Sequence, residues 1–470
     1  MKLFCKEGDS RKNIMMLCLL AVLIMEFLFI TLESQFSYLG YYLTEDYLIV
    51  PALLFLGCGL GGHLSGFAKR RVFLASIAIS WFTLAQIIHK LSGMDTHPIA
   101  TVFFVYLMAF PFASVSEDRE NAGIKWIGSM FLAASLVLVG YTGLLLMGMV
   151  PESLRQFIFW DGARLHVFWH PNMSASVFMI GIGFAAVFWV QSRRTLVKVL
   201  LAAAVAVLFA AMALTNCRTT LLLTGAFLGG ILFLGIFKGG WKRFAIGLLA
   251  AMLVFVVSFK VSGVIFDWNN SRLVAEIYAQ QEAANQMEDP AQKWEETQGL
   301  SVAGSSSQSV AVQNEEVILQ GDNPQGSLMN DMRTLNGRTF IWKSAFQAIR
   351  DNKMLALFGT EYSGIAISVY SPFEVVHGHN SWVEAQMRLG LPGFVLSLVF
   401  TALAVWSAAK LVLNPATEIW KKIIAMLTMC VMATGFLEPY LFITNVYYHV
   451  TDFVFFFLTG YLDHWANAEN

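Results

Sequence analysis

Three short stretches in an otherwise apolar chain hold residue types that could bind an anion and move a proton. Asn216-Cys217-Arg218-Thr219-Thr220 sets an arginine at the mouth of an apolar run. Gly337-Arg338-Thr339-Phe340-Ile341-Trp342 sets another at the first turn of an amphipathic segment. A guanidinium is planar, permanently charged and able to bond a phosphate bidentately, so both are candidate anion ligands. Plainer roles are open to both. Arg218 could snorkel to lipid headgroups, and Arg338 could be a solvated surface arginine. The third stretch is Val376-His377-Gly378-His379-Asn380-Ser381-Trp382-Val383-Glu384. An imidazole titrates near neutrality and can take a proton from a hydroxyl as its oxygen attacks. Gly378 lets the backbone turn tightly between the histidines. Asn380 doubles as a helix cap, and Glu384 with Arg388 is spaced as an i,i+4 helix pair.

Supporting polar residues lie elsewhere. Arg164, His166, His170, Pro171 and Asn172 precede an apolar run, where Asn172 also suits a cap. Glu438 before Pro439 is a lesser candidate, with Tyr447, Tyr448, His449 and Asp452 beyond it. Asp452 sits inside an apolar run, so an inward-facing role is its default; Glu26 is either similar or a structural polar contact.

The elements that must position these groups follow from composition. Of 470 residues 57% are hydrophobic and 13% charged, with mean hydropathy +0.60. Soluble domains carry about 25% charge, so a soluble enzyme is excluded, and so is a disordered chain. The 31 basic and 32 acidic residues nearly cancel, which leaves no nucleic-acid footprint. The five cysteines form no CxxC or Cys/His spacing, so neither a disulfide framework nor a metal site is expected. Twelve stretches reach the roughly 20 apolar residues a membrane helix needs. They are 14–33, 47–67, 72–90, 98–116, 125–149, 172–191, 197–215, 219–237, 243–265, 391–410, 421–441 and 445–462. The first follows a basic leader, but it is too long for a signal-peptide core and lacks an A-x-A site. The expected fold is all-α and polytopic, with about 12 transmembrane helices.

Alternate loops carry 18 of the 31 lysines and arginines, including Lys69-Arg70-Arg71, Arg193-Arg194 and Lys421-Lys422. The short loops opposite hold only Lys90, Arg155, Arg164 and Arg218. The positive-inside rule then puts both termini in the cytoplasm and the candidate residues on the outer face. Three regions result: a membrane part at 1–265, an extracytoplasmic loop at 266–390 and a second membrane part at 391–470. Within the loop, 276–330 is a polar, low-complexity insert. An amphipathic helix is expected at 337–350, with Phe340, Ile341, Ala345, Ala348 and Ile349 as its apolar face and Lys343, Arg350 and nearby Lys353 on its polar side.

Taken in order and on one side of the membrane, these features resemble the O-antigen ligase and O-antigen polymerase superfamily of bacterial envelope glycosyltransferases. The resemblance rests on Trp169-His170-Pro171-Asn172, the Asn216–Thr220 stretch, Gly337–Trp342, His379–Glu384 and Gly390-Leu391-Pro392-Gly393. It implies a GT-C-like membrane fold and a glycan donor on undecaprenyl diphosphate in the bacterial cytoplasmic (inner) membrane. The glycan would pass to a hydroxyl of a glycan, lipid or protein acceptor by an inverting, metal-independent route with no cofactor. Arg218 and Arg338 would contact the diphosphate. His379 would assist the acceptor, with His377 in reserve and Asn380, Glu384, His170, Asn172, Arg164 and Glu438 in support. The reading is O-antigen ligase-like, with a surface-polysaccharide polymerase of the same superfamily as the alternative. An exporter of polysaccharide or lipid-linked sugar is the alternative from another class, but it would place charges along a central cavity and not on one face.

Overall fold

The computed structural model describes residues 121–149, 159–166, 171–236, 240–285, 338–442 and 449–468, with a few positions omitted, and scattered helical positions between 74 and 92. The expected spans at 14–33, 47–67 and 98–116, most of the insert at 276–330, and Glu26, His170, Tyr447 and Tyr448 lie outside the described residues.

The helices are α1 (Ala122–Leu146), α2 (Pro171–Gln191), α3 (Thr195–Leu214), α4 (Arg218–Ile236), α5 (Trp241–Asn285), α6 (Arg338–Asp351), α7 (Lys353–Phe358), α8 (Ser363–Ser368), α9 (Ser381–Leu413), α10 (Ile419–Thr434) and α11 (His449–Ala468). Among the described residues six helices are long and apolar enough to cross a membrane: α1 to α5 and α9. α10 and α11, which correspond to the expected spans 421–441 and 445–462, are not among the six. α10 stops at Thr434 because residues 435–438 turn away to serve the site. α5 does not end with its apolar run; its 45 residues extend about 67 Å, more than twice the hydrocarbon thickness of a bilayer.

One departure from an all-α chain is a two-stranded antiparallel ribbon, β1 (Phe159–Asp161) with β2 (Arg164–His166). Asp161 pairs with Arg164 and Phe159 with His166.

The core is apolar on every side of α2, which is buried along most of its length among α1, α3, α4 and α10. α5 shows the opposite pattern. Leu249, Met252, Leu253 and Val264 are exposed, as a lipid-facing helix requires. At one end of the bundle Trp465 Nε1 donates to Asn121 Oδ1 (2.8 Å), Lys410 Nζ donates to the Ala466 carbonyl (3.0 Å) and Lys421 lies over Trp465. The candidate residues gather at the other end.

α6, α7 and α8 build a small second core from Ile341, Ala345, Ala348, Leu355 and Ile367, joined by Val375 and by Met387 of α9. The expected apolar face of α6 is buried at Ile341, Ala345 and Ala348, whereas Phe340 is exposed. This unit is fastened to α9 at a break. Gly390 has φ 66° and interrupts the helix, and Pro392 opens its second half, where a missing N–H costs little. Gly359, at φ 76°, ends α7 against that break, and Thr360 N donates to the Met387 carbonyl (2.7 Å). Trp81 Nε1 donates to the Leu389 carbonyl at 2.8 Å, and His89 Nε2 donates to the carbonyls of Phe358 and Gly359 at 3.0 Å each. A Cβ on Gly390 would lie 2.1 Å from the Leu357 carbonyl oxygen. Gly390→Ala should therefore lower stability by about 1–3 kcal/mol through the positive φ alone, and by more through the clash, read as a fall in melting temperature. An unchanged melting temperature would mean that the two segments do not touch.

Candidate functional site

The site end of the bundle is where α2, α4, α6 and α9 begin. A helix leaves its first N–H groups unpaired and carries a partial positive charge there, so this end suits an anion before any side chain is counted. Side chains from three segments then converge on one carboxylate.

That carboxylate is Glu438, which is 4% exposed. Arg338, at the first position of α6, donates from Nη2 to Glu438 Oε1 at 2.6 Å. Asn172, at the second position of α2, donates from Nδ2 to the same oxygen at 2.7 Å. The Asn172 amide is oriented by Arg164, whose Nη2 donates to Oδ1 at 3.1 Å while its Nε donates to the Thr215 carbonyl at 3.1 Å. The ribbon thus has a purpose. It aims Arg164 between the start of α2 and the turn linking α3 to α4.

That turn carries Asn216, at φ 49°, then Cys217 and Arg218. Asparagine tolerates this left-handed conformation better than most residues. Arg218 opens α4 and is half-buried. Burial pushes the Cys217 thiol above its ordinary range. A hydrogen bond with Thr220 lowers it again, Glu438 raises it and Arg164 lowers it. Burial thus disfavours the thiolate, and the turn lies within electrostatic reach of the Glu438 cluster.

His379 has φ 47° and sits at the foot of α9. Its Nδ1 is 3.7 Å from Glu438 Oε2, and its ring centroid is 4.1 Å from that of His377. The backbone N–H of His379 donates to His377 Nδ1 at 3.3 Å. Asn380 caps α9, its Oδ1 accepting from Trp382 N (2.9 Å) and Val383 N (3.0 Å), and its Nδ2 donates to the Phe436 carbonyl (2.9 Å). The plainer role open to Asn380 is thus occupied, and the residue also ties α9 to the 435–438 turn.

Glu384 lies behind the histidines and is fully buried. It accepts from Gly378 N at 2.7 Å, Arg388 Nε at 2.8 Å and the Ser363 hydroxyl. The i,i+4 pair with Arg388 exists, but the bond to Gly378 matters more because it pins the residue between the two imidazoles. Among the described residues no group of three His, Cys, Asp or Glu side chains is placed to hold a metal ion.

The structure therefore brings Arg164, Asn172, Arg338, His377, His379, Asn380 and Glu438 together. Arg218 lies on the adjoining turn, and Glu384 is one layer back. Glu438, a lesser candidate by sequence, is the hub. Two contributors went unnoticed in the sequence. Ser381 Oγ donates to the Glu438 carbonyl (2.9 Å) and accepts from Leu441 N (3.0 Å). Trp342 Nε1 donates to the Gly378 carbonyl (3.0 Å). Both lie inside quoted motifs, and their neighbourhood was the available signal.

Residues 203–398 match the family model described as O-antigen ligase. That segment holds Arg218, Arg338, His377, His379, Asn380 and Glu384, while Arg164, Asn172 and Glu438 fall outside it. No curated protein matches the chain.

Proposed function

We propose, from the match of residues 203–398 to the O-antigen ligase family model, that the chain moves a glycan from undecaprenyl diphosphate to an acceptor hydroxyl. The reaction takes place at the outer face of the bacterial cytoplasmic membrane, the side given by the lysine and arginine distribution. The observation that carries this reading is a guanidinium, Arg338, bonded to one oxygen of a buried carboxylate, with an imidazole, His379, 3.7 Å from the other, where four helices begin.

The acceptor oxygen attacks the anomeric carbon from the face opposite the diphosphate. The carbon–oxygen bond to the diphosphate breaks and its electron pair leaves on the phosphate oxygen. The hydroxyl proton passes to His379. Arg338, and Arg218 on the neighbouring turn, hold the charge that builds on the departing diphosphate, which is the largest contribution a preorganised site can make. The configuration at the anomeric carbon inverts. The glycan is already activated by its diphosphate, so no nucleotide site is needed.

Purified protein supplied with a lipid-linked glycan and an acceptor should release undecaprenyl diphosphate, and His379→Ala should stop that release. Normal turnover in this variant would remove the histidine from its role. A gene deletion separates the two family activities. Short, uncapped surface chains would indicate a polymerase, and long chains retained on lipid a ligase. Unchanged surface glycans would sink both.

A further inference from the structure

A buried carboxylate is an odd hub for a site that receives a diphosphate. Its repulsion of an incoming anion is unfavourable unless the carboxylate can be displaced. The geometry shows how displacement could occur. Oε1 of Glu438 holds two donors, Arg338 Nη2 at 2.6 Å and Asn172 Nδ2 at 2.7 Å. A phosphate oxygen would seek that same guanidinium, since both are anionic acceptors of charge-assisted bonds. Oε2 lies 3.7 Å from His379 Nδ1, beyond hydrogen-bond range, and that nitrogen is buried with no hydrogen-bond partner. Because Nδ1 is sealed from solvent, only Nε2 of His379 can reach an acceptor.

We infer that Glu438 is an internal stand-in for the donor diphosphate and changes partner when the diphosphate arrives. This rests on the transfer reading above and adds to it the order of events. In the structure Glu438 occupies Arg338. When a diphosphate takes over the guanidinium, the carboxylate keeps Asn172, whose amide Arg164 orients, and turns Oε2 onto His379 Nδ1. Nδ1–H donating to the carboxylate leaves the lone pair on Nε2, so the ring becomes a correctly oriented base. The Glu438 backbone stays in place because Ser381 Oγ donates to its carbonyl. Only the side chain moves, across about 1 Å of excess distance to the ring, judged against a usual bond of about 2.7–2.9 Å. The base is thereby armed by donor binding, and the acceptor is activated only when there is a glycan to receive. Glu438 is a positioning residue here; it touches neither sugar nor acceptor.

The test uses full-length protein in nanodiscs and inorganic diphosphate as the probe. Glu438→Gln removes the competing charge but keeps an acceptor for Asn172. It should bind inorganic diphosphate at least tenfold more tightly than the wild type by calorimetry, and Arg338→Ala in the same background should erase that gain. In transfer assays Glu438→Gln should lower kcat at least 50-fold without raising KM for the lipid-linked donor. Unchanged or weaker diphosphate binding would overturn the stand-in role, and an unchanged kcat would overturn the arming of His379. If Glu438→Gln does not fold, the wild type still decides the matter. With nitrogen-15 histidine, the His379 Nδ1–H signal should move to a hydrogen-bonded position on adding diphosphate, and no movement overturns the exchange. The two readings fail separately. Tighter diphosphate binding without any glycan transfer would discard the transfer reading alone, and transfer without tightening would discard the exchange alone.

Discussion

Arg338→Ala should lose at least two to three orders of magnitude in glycan transfer and melt well below the parent protein. The catalytic loss follows from removing a preorganised cation beside the departing diphosphate; a single such donor is worth about 10²–10³ in rate. The stability loss has a separate origin. The Arg338 side chain is 16% exposed and that of Glu438 only 6%, so the variant leaves a buried carboxylate without its nearest cation. Breaking a buried pair from one side costs about 3–5 kcal/mol. Asn172 still donates to that carboxylate, which puts the expected cost toward the lower end. The two effects can be separated. Adding Glu438→Gln to Arg338→Ala should recover most of the melting temperature and none of the transfer, because the uncompensated charge is gone while the diphosphate still has no cation. Arg338→Lys should melt nearly as the parent and remain strongly impaired, since an ammonium keeps the charge but not the planar fork. Normal release of undecaprenyl diphosphate by Arg338→Ala would remove the arginine from the site.

The site was legible in the sequence where it depends on residue type, and illegible where it depends on what lies across the fold. Arg338, His379 and Asn380 stand out because arginine, histidine and asparagine are scarce in an apolar chain and occur at predicted helix starts. Glu438 ranked low for the same reason in reverse: it sits alone before a proline, and its partners are distant in sequence. Arg338 is 100 residues away and Asn172 is 266 away. No local pattern encodes such pairings. Arg164 was visible only as a supporting residue, and its partner Asn172 became evident once the ribbon placed the two side by side. Helix positions from α1 to α4 followed the apolar runs closely because burial and lipid contact both reward them. The edges that differ have specific causes. α9 starts ten residues before its apolar run, at Ser381, because Asn380 caps it and Gly390 absorbs the break. α10 ends early because the 435–438 turn must bring Glu438 to the site.

Glu384→Ala should be about as damaging as the loss of Arg338 while touching no reacting group. The carboxylate is fully buried and takes hydrogen bonds from three sources, Gly378 N, Arg388 Nε and the Ser363 hydroxyl. Truncation leaves a backbone N–H, a hydroxyl and a partly buried guanidinium without their acceptor. The guanidinium alone puts the change in the range of a broken buried pair, about 3–5 kcal/mol. A backbone N–H left unpaired adds about 1–3 kcal/mol unless water enters. The functional effect runs through Gly378. Its N–H bond to Glu384 and its carbonyl bond from Trp342 fix the residue between His377 and His379. Without the first bond the His379 ring is free to leave its station beside Glu438, and a displacement of about 1 Å at a reacting group can cost 10²-fold. Glu384→Gln tells positioning from bulk stability. It preserves volume and one acceptor oxygen, so it should melt nearer the parent than Glu384→Ala does. It cannot satisfy Gly378 and Arg388 together as well as a carboxylate can. Transfer should therefore remain depressed in Glu384→Gln even at temperatures where the protein is fully folded. Full activity in that folded variant would mean that the histidine loop holds its shape without the carboxylate, and that Glu384 serves only the core of α6 to α9.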